Sequence, residues 1–62
     1  MKLIRFGKKG SERPGILDNN NVRRDLSDHF TDWNDLFFTD NGLKQLQEYL
    51  KTNPQPPEVM ES

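Results

Sequence analysis

The sequence predicts a small α+β fold, an antiparallel sheet of about three strands followed by short helical turns and one C-terminal helix, and three observations carry that prediction. Two short segments that hold apolar and β-branched residues, Pro14-Gly15-Ile16-Leu17-Asp18 and Val22-Arg23-Arg24-Asp25-Leu26-Ser27, are separated by Asn19-Asn20-Asn21. Asparagine tolerates left-handed backbone and hydrogen-bonds its own main chain, so the triplet reads as the reversal of a β-hairpin. Beyond Ser27 the pattern changes to aromatic residues set among carboxylates. Leu43, Leu46 and Leu50 then recur at i, i+3 and i+7, the spacing of one helical face.

Lys2-Leu3-Ile4-Arg5-Phe6 reads as the first strand, ending at Gly7, with Ile4 and Phe6 on one face and Leu3 and Arg5 on the other. The charged stretch from Gly7 to Glu12 lacks the order of a phosphate-binding loop, a glycine, four residues, then Gly-Lys-Ser/Thr, and reads as an ordinary connection. Pro14-Gly15 either centres a type II turn or starts an extended segment. Ile16 and Leu17 are neighbours and point to opposite faces, so apolar groups occur on both sides of the sheet. In the third strand Val22, Arg24 and Leu26 share one side, a half-buried alternation. A three-stranded antiparallel meander fits these lengths, with the strand order left open.

Ser27 and Asp28 are expected to cap a helical turn, and Thr31 with Asp32 a second one. Phe30, Trp33 and Phe37 fall on one helical stripe. The aromatic segment has two readings: the core that covers the sheet, or in part an exposed face that docks on a partner. The adjacent pair Phe37-Phe38 favours the second, since neighbouring helical residues point about 100° apart. Thr39-Asp40-Asn41-Gly42 offers N-caps for a helix from Leu43 to Lys51, with Leu43, Leu46, Tyr49 and Leu50 inward and Lys44, Gln45, Gln47 and Glu48 outward. Asn53 is expected in a left-handed cap, and Pro54 stops the helix near Thr52. The domain is thus residues 1–53, and 54–62 a proline-rich linker or tail.

Sixty-two residues make a single domain that buries only about 60% of the surface its unfolded chain exposes. The chain has no cysteine and one histidine, so neither a disulfide nor a zinc site supplements that core. Apolar and charged residues each make up 31%, and the mean hydropathy is -1.01; a small soluble domain fits this balance better than disorder. No apolar run has the length of a membrane span, and Met1-Lys2-Leu3-Ile4-Arg5 is too quickly interrupted by charge for a signal peptide, so a cytoplasmic protein is expected. Residues 1–24 carry seven basic and two acidic groups, and residues 25–62 two basic and eight acidic. The two halves are expected to pack together and partly cancel. With a pI of 5.7, and no aromatic but Phe6 interleaved with the basic strands, nucleic acid is not an expected partner.

Catalysis needs groups that can be poised, and few are present. His29 has no histidine or cysteine companion, Ser11, Ser27 and Ser62 have no local base, and Asp25, Asp28, Asp32 and Asp35 lack the spacing of a calcium loop. No catalytic, cofactor-binding or metal-binding residue is expected.

Met1-Lys2-Leu3-Ile4-Arg5-Phe6-Gly7, Glu12-Arg13-Pro14-Gly15-Ile16-Leu17-Asp18 and Arg24-Asp25-Leu26-Ser27, continued by Asp32-Trp33-Asn34, Phe37-Phe38 and Gly42-Leu43, form an ordered set. That set resembles the N-terminal domain of the fumarylacetoacetate hydrolase family, closest to its bacterial ureidoglycolate lyase-like and acylpyruvate or diketo-acid hydrolase-like members. Pro57-Glu58-Val59 is similar to the segment leading into the family's catalytic domain. The resemblance implies a parent hydrolase or lyase acting on keto-acid substrates, with a divalent metal, Mg or Mn, held by a Glu-x-Glu motif in a catalytic domain outside this chain. Glu58 and Glu61 stand as Glu-x-x-Glu, so no metal role carries over to them. The chain is then an accessory domain, and its partner the C-terminal catalytic domain of the same or a parent chain. No membrane partner is expected, and a homo-oligomer is left open. Ile16, Leu17, Trp33, Phe37 and Phe38 are the expected interface. The alternative is a free-standing module that binds a protein partner through Trp33, Phe37 and Phe38.

Overall fold

A computed structural model describes residues 1–60. Three strands, β1 (Lys2–Phe6), β2 (Arg13–Leu17) and β3 (Arg23–Asp25), precede two helices, α1 (Asp35–Thr39) and α2 (Gly42–Thr52). The sheet is an antiparallel meander of order β1-β2-β3, which settles the order that the sequence leaves open.

Asp18 makes the β2–β3 reversal. Its Oδ1 accepts the amides of Asn20 at 2.8 Å and Val22 at 2.9 Å, while Asn21 takes a left-handed φ of 61° and donates its amide to the Asp18 carbonyl at 3.0 Å. The asparagines therefore supply backbone tolerance, and the preceding aspartate supplies the hydrogen bonds. Its Oδ2 also accepts from Arg24 Nε at 3.1 Å. Pro14-Gly15 lies inside β2, pairing with Arg5 and Ile4, so of its two readings the extended one holds.

Register sets the faces. Leu3 pairs with Ile16, which pairs with Arg24, on one side; Ile4 with Gly15 and Lys2 with Leu17 on the other. The first side meets the helical layer, where Ile16, Leu26, Phe30, Trp33 and Leu46 form the core and Leu3, Phe37, Tyr49 and Leu50 pack around it. Phe6 is buried on the opposite side. Its ring covers Gly15, where an added Cβ would lie 3.1 Å from two ring carbons, and Arg13 places its guanidinium carbon 4.9 Å from the ring centroid. An aromatic ring thus fills the gap left by a strand glycine.

The capping pattern differs from the expected one. Ser27 does not cap a helix; its amide and hydroxyl both donate to Asp25 Oδ1, at 2.8 and 2.6 Å. A single turn follows, closed by Phe30 N–H to the Leu26 carbonyl at 2.9 Å. Nor does Thr31-Asp32 start α1. Asn34 is its N-cap and accepts from the Phe37 amide at 3.1 Å, because Asp32 is committed to Arg5 and to its neighbour's amide. Asn41, at φ 67°, begins α2 without a side-chain bond. Asn53 ends α2 at φ -132° rather than left-handed, its side-chain amide bonded to the Tyr49 carbonyl at 3.1 Å. The inward stripe of α2 is Gly42, Leu46, Tyr49 and Leu50. Leu43 is 45% exposed, off the stripe that Gly42, Leu46, Tyr49 and Leu50 form.

Candidate functional site

The five residues expected at an interface are split by the fold. Trp33 is 6% and Ile16 3% exposed, both in the core, so neither presents a surface. Phe37 is half-buried, its ring 5.9 Å from Phe30 and 4.7 Å from Trp33. Phe38 is 50% exposed, and Leu17 is half-buried on the side of the sheet away from the core.

Trp33 is the pin of the structure. Its indole N–H is shared between the Ile4 carbonyl at 2.9 Å and the Gly15 carbonyl at 2.8 Å, one on β1 and one on β2. Arg5 reaches back, with Nη2 donating to the Trp33 carbonyl at 2.8 Å and Nε to Asp32 Oδ1 at 2.9 Å. This pair joins the basic half to the acidic half, as the charge asymmetry predicts. The Arg5 hydrogen bond holds the Asp32 carboxyl below the usual carboxylate range. The Val22 amide, aided by Arg24, does the same to Asp18.

Two apolar surfaces stand out among the described residues. One lies on and beside the helices, where Leu36 (71% exposed), Phe38 and Leu43 stand out; beside it a groove of about 310 Å³ is lined by Phe30, Asp32, Leu36, Phe37 and Asp40 among others. The other is the sheet face away from the core, with the half-buried Ile4 and Leu17 around Phe6. Sequence reasoning missed Leu36 and Leu43 as surface residues. For Leu43 a signal existed, because Gly42, Leu46 and Leu50 form an equally regular stripe without it.

His29 stacks on Tyr49 with ring centroids 4.3 Å apart. Among the described residues no group of three or more His, Cys, Asp or Glu is placed to hold a metal ion. Glu61, one half of the Glu-x-x-Glu pair, lies outside the described residues. Among those residues, no helix is long and apolar enough to cross a membrane.

Fold and surface together define a small α+β module with apolar area on two sides of its described residues. The chain is similar to bacterial proteins named "Putative hydrolase": one from Burkholderia ambifaria is 49% identical over 47 residues, which are 76% of this chain and 17% of that protein. Proteins from Burkholderia lata and Burkholderia multivorans bearing the same designation are each 47% identical over 47 residues. The matched stretch spans only 17% of the length of these relatives. No protein-family pattern matches the chain, and no solved structure matches it.

Proposed function

We propose that this chain serves as the N-terminal accessory module of a cytoplasmic hydrolase of the fumarylacetoacetate hydrolase type, docking on a metal-dependent catalytic portion that its own residues do not include. The observation that supports this reading is its 49% identity to a hydrolase-designated protein nearly six times the length of the matched stretch. Leu17 on the sheet, with Phe37 and Phe38 on α1, are the docking residues in this reading. Ile16 and Trp33 serve it from inside, by holding the sheet and the helical layer together.

The exposure of Leu36, Phe38 and Leu43 favours a second reading, a free-standing module that binds another protein through this aromatic end. One experiment separates the two. The Burkholderia ambifaria relative is produced whole and without its matched stretch, and acylpyruvate turnover with Mg²⁺ or Mn²⁺ is compared, beside this 62-residue chain alone. The accessory reading expects turnover by the whole protein, a loss of activity or thermal stability on removal of the stretch, and none from the short chain. Turnover by the short chain, or a relative indifferent to the removal, refutes it.

A further inference from the structure

We infer that the outer edge of β3 is a strand-binding site and that residues 56–59 are its occupant, supplied by the chain itself. Three prolines, Pro54, Pro56 and Pro57, make this stretch read as a tether, yet its backbone is bound. The Asp25 amide donates to the Pro57 carbonyl at 2.7 Å, and the Val59 amide to the Arg23 carbonyl at 2.9 Å. Glu58 therefore lies opposite Arg24 in an antiparallel bridge. Arg24 Nη1 donates to the Pro56 carbonyl at 3.1 Å, and its Nε is held by Asp18, so the clamp is set by the hairpin turn before the segment arrives. Pro56 is buried, and Val59 half-buried.

The seat is selective in a simple way. It uses only carbonyls at positions 56 and 57, where proline lacks an N–H, and requires an N–H at 59, where valine has one. Main-chain bonds of this kind give affinity to an added strand, and a side-chain seat gives register. Proline keeps the segment extended before it binds, which lowers the cost of ordering it. A filled edge is also closed to a strand from a second copy. The inference rests on these contacts and not on the hydrolase reading.

The test is amide hydrogen exchange at Asp25 in the 62-residue chain. In the intact chain this amide is expected to be protected. In the Val59→Pro variant, and in a chain ending at Asn53, it exchanges about tenfold faster or more. A synthetic peptide of residues 54–62 added to the shortened chain restores protection, and the same peptide carrying Val59→Pro does not. Sedimentation shows the shortened chain self-associating and the peptide reversing it. Where the shortened chain does not fold, Val59→Pro and Arg24→Gln in the intact chain carry the test. Equal Asp25 exchange in the intact chain and these variants overturns the inference, as does a folded shortened chain that stays monomeric with Asp25 protected.

Discussion

Replacing Gly15 with alanine opposes two effects of known sign. Gly15 is not among the positive-φ glycines, so in a roomy strand the change would stabilise by about 0.4–1 kcal/mol, through a less free unfolded chain. The site is not roomy. The new methyl would lie 2.6 Å from the Arg24 carbonyl oxygen and 3.1 Å from two carbons of the Phe6 ring. Phe6 can turn aside, but the Arg24 oxygen belongs to the main chain, so β3 must move. Overpacking of this kind costs about 1–3 kcal/mol, and the displacement also disturbs the Gly15 carbonyl that accepts from Trp33. The net expectation is a loss of about 1–2 kcal/mol, which for a domain near this size lowers Tm by about 4–16 °C. Thermal unfolding followed by circular dichroism measures it. A Gly15→Ala chain that melts at or above the wild-type temperature would refute the close approach of β2 to β3.

Trp33→Phe keeps a ring but deletes the N–H shared by Ile4 and Gly15; a loss of about 1–3 kcal/mol is expected in chemical denaturation, and an unchanged midpoint would deny the pin. Leu46→Ala, at a position with 0% exposure, should cost about 2–5 kcal/mol and leave much of so small a domain unfolded, whereas Phe38→Asp should move Tm by little and abolish any docking through the aromatic end. Because the folded state lowers the carboxyl pKa of Asp18 and Asp32, their contribution is complete above the ordinary carboxylate value of about 3.9. It is lost as pH falls from there through the depressed folded values. Asp32→Asn, read by acid titration of the fold, should therefore lessen stability near neutrality and flatten the decline below about pH 4; a decline as steep as wild type would remove Asp32 from the account.

The strands were legible because their signals are local. β1 ends at Phe6, just before Gly7, the asparagines mark the reversal, and α2 stops at Thr52, two residues before Pro54. The irregular segment between β3 and α1 was not, for a physical reason. Asp25, Ser27, Asp32 and Asn34 are all competent caps, and which of them caps depends on commitments made across the fold. Arg5 captures Asp32 from 27 residues away, so the duty at α1 passes to Asn34, a choice that sequence spacing does not contain. The interface expectation was limited in the same way. Trp33 and Phe38 are both aromatic residues in or beside α1, and only the arrangement of β1 and β2 shows that one of them has two carbonyls waiting for it. The paired Phe37 and Phe38 did mark the boundary between inside and outside.

The lone indole of this protein is itself a reporter, because it spans the seam between sheet and helical layer. Its fluorescence needs no added label. A ligand or neighbour that pries the helices from the strands will wet the ring and redden its emission, while one that settles on the far side of the sheet will leave the colour unchanged. A single spectrum of a mixture thus tells which flank of the molecule has been engaged.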